Sequence, residues 1–295
     1  VPTVVGVLLL VLGVLALDAT VVTGRVDRLA VELPRGPGET WVLVGEDSRA
    51  RLPEGASVAD FGSVDEVPGS RADVVLVVHR SGESTTAFSV PRDLVVPQAA
   101  ARLALTWLEG PQSTVDALCA LGIAADHLLA IDLAGFAAVV DAAGGLTVDV
   151  PAPVRDPAAG LELREAGRRH VDGATALALV RSRSPQELVD GRWVSADVDP
   201  DGRASHATAV AEALARAVTV SATRPVRLHG LAWALSGALT VDSGTSARDL
   251  LTLADARLDG ATVLPVGDPV SGTLVRFPTA ATRDAVAAAG MSCAP

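Results

Sequence analysis

The sequence predicts an α/β fold: a layered α/β/α domain with a central mixed β-sheet, preceded by one N-terminal transmembrane helix. Three observations predict it. Short apolar runs rich in β-branched residues, such as WVLVG (41–45) and ADVVLVVH (72–79), alternate with stretches of helical spacing such as DLAGFAAVVD (132–141). The run 72–79 and TTAFSV (85–90) stand close enough to pair as a hairpin around Arg80–Glu83, which makes the sheet mixed rather than parallel. With 295 residues, 49% of them hydrophobic, the chain is long enough to bury the core of one large domain or two modest ones.

The elements follow in order. Val1–Leu17 is uncharged, and with Asp18 tolerated the apolar stretch reaches Val22, close to the roughly 20 residues that span a bilayer as a helix. A signal peptide has a shorter apolar core and a small-residue cleavage site, and Leu-Ala-Leu-Asp-Ala is a poor one, so residues 1–22 are expected to be an uncleaved anchor. The start has neither Met nor a basic flank, so a preceding cytoplasmic piece is expected and charge gives no orientation. Residues 23–40, ending in PRGPGET, read as a linker, and 41–295 as the extracytoplasmic domain, with a motif-bearing core at 41–220 and a C-terminal α/β part at 221–295.

After the strand 41–45 comes a long polar loop to Arg71, then the hairpin. Pro111 suits the first turn of a helix over 110–121, Leu128–Ile131 reads as a strand, and 132–141 as a helix ended by Gly144-Gly145. LTVDVPAP is a strand stopped by prolines; Asp172 caps GATALALV, after which VRSR (180–183) is expected in extended form. His206–Val220 reads as an Ala-rich helix and TVLP (262–265) as a late strand.

Charge narrows the function. Against 35 acidic residues stand 24 basic ones, all Arg, for a formal net charge of −11, which excludes a broad nucleic-acid-binding surface. Any anion site is therefore local. Cys119 and Cys293 are the two cysteines; outside the membrane they form an intrachain disulfide that pins the tail, and inside a reducing compartment they stay buried thiols. No Cys or His stands at zinc spacing, and no P-loop, dinucleotide fingerprint or GxSxG elbow is present.

Four stretches combine Arg with Asp or Ser where apolar runs start or stop: GEDSR (45–49), GSRAD (69–73), VPRD (90–93) and VRSR (180–183). Ligands of α/β sheets bind at strand ends. In extended backbone Arg181 and Arg183 point the same way, and two such forks tolerate each other when an anion such as pyrophosphate lies between them. Taken alone, that stretch reads equally well as an exposed edge or as two salt bridges. Asp47 and Asp73 are hard oxygen ligands of the kind Mg²⁺ takes beside substrate phosphate, or else loop caps and ion-pair partners. The residues by themselves point to a phosphate-handling site with a divalent metal, and no further.

Taken in order, WVLVGEDSR (41–49), GSRADVVLVVH (69–79), FSVPRDL (88–94), the stretch 126–163 and HVDGATALALVRSR (170–183) resemble the LytR-CpsA-Psr proteins, bacterial cell-envelope enzymes. The resemblance runs from about Trp41 to Arg203. It implies a phosphotransferase that moves a glycopolymer from a polyprenyl-pyrophosphate carrier to a peptidoglycan sugar hydroxyl, with Mg²⁺ on the pyrophosphate and the lipid tail in an apolar groove. On this chain it implies Asp47 and Asp73 as carboxylates near the metal, and Arg71, Arg92, Arg181 and Arg183 as the pyrophosphate clamp, with Arg102 and Arg203 as further phosphate contacts. The same resemblance implies that Arg92 stabilises charge on the phosphoryl group under attack. Asp93 orients it, or forms a purely structural pair with it. Asp47 or Asp73 accepts the acceptor's proton, and the sequence does not choose between them.

The chain departs from that family in places. Arg102-Leu103-Ala104 stands where relatives carry Lys-Ile-Asn, and His206-Ala207 where they carry Arg-Gln. The insertion between Arg183 and Asp201 is long, and its Trp193 either covers the site or anchors a loop. These departures keep two alternatives open: a non-catalytic polyprenyl-phosphate-binding or regulatory protein, and a polyprenyl-pyrophosphate phosphatase.

Overall fold

The computed structural model describes residues 20–54, 56, 63–66, 68–182, 184–196, 202–222, 224–254 and 261–293. The expected membrane anchor falls almost wholly on residues outside these, as does Arg183. Among the described residues no helix is long and apolar enough to cross a membrane.

A mixed sheet forms the centre, built from β1 (Asp27–Leu29), β2 (Glu39–Glu46), β3 (Ala72–Ser81), β4 (Ser84–Ser89), β7 (His127–Asp132), β14 (Leu239–Asp242) and β15 (Thr262–Val263). Their order in space is β1-β14-β7-β2-β3-β4-β15, with β2 parallel to β7 and antiparallel to β3. Smaller ribbons carry the other strands: β5 (Val95–Val96) with β6 (Ala101–Arg102), β8 (Leu146–Val150) with β11 (Gly167–Val171), and β10 (Leu161–Leu163), β9 (Val154–Asp156), β12 (Gln186–Val189) and β13 (Arg192–Ser195) in that order. The helices are α1 (Leu103–Glu109), α2 (Pro111–Ala120), α3 (Leu133–Ala142), α4 (Gly173–Arg181), α5 (Gly202–Ala222), α6 (Pro225–Ala238), α7 (Ala247–Ala254) and α8 (Ala280–Ala288).

The central strands are apolar on both faces because both faces are covered. Val42, Val44, Val75 and Val77 pack against Leu103 and Trp107 of α1, Val115 and Leu118 of α2 and Val286 of α8 in one dry core. The opposite face carries Leu43, Leu76, Val78 and Leu129 toward α5, α6 and α7. A second core joins Leu146, Val148, Leu161 and Val171 of the small ribbons to Val210 of α5.

Capping follows the sequence closely. Asp132 accepts from Gly135 N at the start of α3, and Asp172 from Thr175 N at the start of α4. Hydrogen bonding from the Thr175 side chain and amide holds the Asp172 carboxyl below its ordinary range. Gly173 lets α4 approach α3 closely, since a Cβ there would lie 2.2 Å from the Ala137 carbonyl oxygen.

Several expectations are corrected. Over its described residues VRSR is not an extended strand: Val180 and Arg181 close the last turn of α4, and Ser182, with φ −57° and ψ 125°, leaves the helix. Its hydroxyl donates to Asp156 Oδ2 (2.9 Å), and that buried bond turns the chain. The stretch read as a linker supplies β1, which pairs parallel with β14. Helix α1 has no side-chain cap to announce it and is set off from α2 only by Gly110, at φ +123°. The long insertion forms the β12–β13 hairpin, whose Asp190-Gly191 turn has positive φ at both residues. Its Trp193 lies under the Arg155 guanidinium, 4.8 Å from the ring centre, and lines neither of the cavities described below. The tail is pinned as expected, by a Cys119–Cys293 disulfide.

Candidate active site

One edge of the sheet collects four strand ends. β2 and β7 finish there, at Glu46 and Asp132; β3, antiparallel to β2, begins there; β4, antiparallel to β3, ends there and feeds Val90-Pro91-Arg92-Asp93. At this edge Gly45 pairs with Val74 but Glu46 with Ala72, so Asp73 is the extra residue of a β-bulge. A bulge re-aims the side chain it carries. Ala72 joins the dry core, whereas Asp73 and Val74 both face the opposite side of the sheet.

Arg92 meets Asp73 there. Its Nη1 donates to Asp73 Oδ1 in a short ion pair, and its buried Nε has no hydrogen-bond partner among the described residues, with Asp93 Oδ2 3.5 Å away. The other Asp93 oxygen accepts from Arg102 Nη1 at 3.1 Å. The turn carrying Arg92 is fixed on both sides. Ala104 N donates to the Arg92 carbonyl (2.9 Å) and Leu103 N to that of Leu94 (2.9 Å), while Arg276 N donates to the Asp93 carbonyl (3.2 Å).

Two cavities adjoin this pair. A small polar one is lined by Asp73, Ser89, Arg92, Asp93 and Arg276, among others. A large one, about 490 Å³, runs between the sheet and α5 and α6 and is lined mainly by aliphatic side chains, including Leu43, Leu76, Leu129, Val210 and Leu235. That volume is within the range of ligand pockets. Asp73 and Ala207 line both. Charge and apolar volume therefore share a boundary.

The remaining candidates take varied places. Arg181, at the end of α4, lines the large cavity with Asp73. Asp47 is only 6% exposed; its amide donates to the Arg71 carbonyl (2.9 Å), extending the β2–β3 ladder, and its Oδ2 is bound by Arg49 Nη1 at 2.7 Å. It lines neither cavity, so the structure does not bring it together with Asp73 in one pocket. Arg71 is half-buried beside it. Arg203 belongs to the first turn of α5, where the side chain is outside the described ones, as Arg183 is altogether. Among the described residues no group of three or more His, Cys, Asp or Glu is arranged to hold a metal.

Two guanidiniums that sequence reasoning passed over stand at this edge. Arg49 carried a signal, two residues from Asp47 in GEDSR. Arg276 carried none: it reaches the site because Leu94 bridges to it in parallel and Val95 N donates to its carbonyl (2.8 Å). It is buried, 8% exposed.

Residues 32–259 match the model of the LytR_cpsA_psr family. The chain belongs to that family. Among similar proteins, the probable cell wall biosynthesis protein LcpB of Corynebacterium glutamicum is 35% identical over 196 residues, 62% of this chain and 46% of that protein. The cell wall biosynthesis protein LcpA of the same organism is 28% identical over 264 residues, 75% of this chain and 49% of the other. The chain thus spans about half the length of the curated relatives it matches. A solved LytR-Csp2A-Psr enzyme from Actinomyces oris superposes with a TM-score of 0.73 at 40% identity, covering 91% of this chain and 97% of that one. The central mixed α/β sheet is thus a LytR-CpsA-Psr fold, and Arg276 lies beyond the part matched by the family model.

Proposed function

We propose that this protein transfers a glycopolymer from a polyprenyl-pyrophosphate carrier to a sugar hydroxyl of peptidoglycan, outside the cell membrane. One observation carries the reading: the carboxylate that holds Arg92 also lines an aliphatic cavity of about 490 Å³. A ligand that joins a doubly charged headgroup to a long hydrocarbon tail matches that juxtaposition. The uncharged Val1–Leu17 supports a membrane-bound setting, and the cell wall proteins of Corynebacterium glutamicum support the envelope role.

The reaction balances simply. The acceptor hydroxyl oxygen attacks the phosphorus attached to the glycan, the bond from that phosphorus to the bridging oxygen breaks, and polyprenyl monophosphate leaves with the electron pair. Arg92 neutralises charge on the phosphoryl oxygens, with Arg181 and Arg102 nearby and Arg71, Arg183 and Arg203 as further proposed contacts. Asp93 holds both Arg92 and Arg102 in place. The hydroxyl proton passes to a carboxylate; Asp73, which lines both cavities, is better sited than Asp47, which Arg49 engages.

Mg²⁺ is part of the proposal: Asp73 would hold it beside the pyrophosphate, while Asp47, engaged by Arg49 and lining neither cavity, would join it only on leaving that pair. Mg²⁺ takes one or two carboxylates and completes its shell with substrate phosphate and water, so Asp73 alone meets the protein's share. When bound it supplies charge neutralisation on the pyrophosphate.

A second reading has its own observation. Ala207, where relatives carry a polar residue, lines both cavities and offers no hydrogen bond. That favours a protein that binds polyprenyl phosphate without transferring the glycan. The deciding experiment incubates the chain with a lipid-pyrophosphate sugar, peptidoglycan acceptor and Mg²⁺ and identifies the lipid product. Polyprenyl monophosphate together with glycan joined to the acceptor supports transfer; monophosphate without joined glycan identifies a phosphatase; carrier bound but unchanged overturns both enzymatic readings.

A further inference from the structure

We propose that the outward face of α6, with the end of α5 beside it, docks on an anionic lipid surface and holds the helical wall of the aliphatic cavity against the membrane. The face is apolar where a solvated helix has no reason to be. Val226 is 87% exposed and Trp233 43%, and positions seven apart share one stripe of a helix. Leu228, Val220 and Val21 are also exposed. The other side of α6 lines the cavity through Ala232 and Leu235.

Charge chooses the occupant. Between Glu212 and Asp242 the sequence has no acidic residue but contains Arg216, Arg224, Arg227 and His229, in a chain of net charge −11. Arg216 pairs with Glu212; Arg224 and Arg227 are exposed beside Val226 and Leu228, with the Arg227 guanidinium resting near Gly144. An anionic bilayer attracts this face while it repels the rest of the surface. Exposed aliphatics, Trp and Arg on one helix form the chemistry of an interfacial helix. A second copy is a poor occupant, because a two-fold contact sets the same cationic face against itself.

The chain's own connection agrees. The described backbone begins in helical form at Thr20, three residues after the end of the uncharged stretch, and Arg25 fastens it to α6: its guanidinium lies 4.2 Å from the Trp233 ring centre and its Nε donates to Ser236 Oγ at 3.3 Å. Whatever bilayer receives Val1–Leu17 is thereby brought to this face.

The inference draws on the membrane setting proposed above but not on turnover, so the test reads docking alone. The full chain is added to phosphatidylglycerol vesicles with and without bromine on the acyl chain near the headgroup, and tryptophan emission is recorded. Bromine is expected to quench a component that Trp233→Phe lacks. Arg224→Glu with Arg227→Glu is expected to weaken the vesicle affinity read from that quenching by at least about fivefold for each arginine replaced. Val226→Glu, which keeps Trp233, provides a second route to the same loss. Emission from Trp233 indifferent to bromine overturns the proposal, as does quenching untouched by both the arginine and the Val226 variants. Shielding of Trp233 that disappears when the chain is diluted among excess vesicles also overturns it, since that marks contact between copies. Transfer assayed in the same vesicles is a separate readout: docking without transfer counts against the proposed function alone.

Discussion

Arg92 and Asp73 depend on each other for their positions. The arginine follows β4 and the aspartate is the bulged residue of β3; the pair lines the polar cavity, and its aspartate lines the aliphatic one as well. Neither group is there for the core, because the dry packing of Val75, Val77 and Phe88 lies on the other side of the same strands.

Replacing Arg92 with Ala is expected to lower transfer by about a hundredfold or more, comparable to losing one preorganised charge-stabilising donor, while the thermal melt stays cooperative. Arg92→Lys keeps the charge but not the planar fork, and recovers only part of the loss. Product formation from a lipid-pyrophosphate sugar checks both variants; full activity in Arg92→Ala removes the arginine from the mechanism.

Asp73→Asn is expected to cost as much as Arg92→Ala, and the double variant little more than either alone. Residues that act as one unit are non-additive. Additive losses in kcat/KM would mean that the two work independently and that the ion pair is incidental.

Narrowing the aliphatic cavity separates the tail from the headgroup. Ala211 lines the large cavity but not the polar one. Ala211→Phe is expected to raise KM for long-chain carriers while leaving short-chain ones nearly unaffected. Equal effects across a series of prenyl lengths would place the tail elsewhere.

Much of this edge was legible in the sequence because strand ends announce themselves. VPRD ends an apolar run at a proline, and GSRAD precedes one, so Arg92 and Asp73 were found by position. The bulge that aims Asp73 was not legible, since it arises from the register of two strands and leaves no residue signature beyond Gly45. VRSR misled because the helix capped by Asp172 runs one residue further than its apolar pattern, ending on a buried Ser182–Asp156 bond made with a distant strand. Arg276 was invisible for the same reason: only the tertiary path of the tail carries it to Asp93.

The disulfide holds that path. Cys119 and Cys293 are 174 residues apart in sequence. A disulfide typically stabilises a fold by about 2–4 kcal/mol. The Cys119→Ala/Cys293→Ala chain is therefore expected to melt roughly 5 to 15 °C lower, with transfer retained at low temperature. An unchanged melting temperature would show that Val286 and Met291, packed in the dry core, hold the tail without the bridge.

His79 sets an acid limit on stability. Its ring is 1% exposed, with Nδ1 2.9 Å from Thr40 Oγ1 and Nε2 without a hydrogen-bond partner among the described residues. Gly38, at φ +77°, leaves room for it, since a Cβ there would lie 2.7 Å from Cε1. Burial pushes the imidazole below its ordinary pKa, and the nearby Asp126 carboxylate opposes that only in part. The unfolded chain therefore takes up the proton at a higher pH than the folded one. The stabilising contribution of neutral His79 is complete above about pH 6.5 and is lost as the pH falls from there toward the depressed folded value. In urea unfolding between pH 7.5 and 5.5, the native chain is expected to lose stability more steeply below pH 6.5 than a His79→Gln chain, by up to about 1.4 kcal/mol per pH unit. Equal slopes in the two chains would mean that the buried ring accepts its proton without unfolding, with Asp126 compensating in full. A steeper slope in the variant would reverse the sign and assign the acid sensitivity to the other histidines.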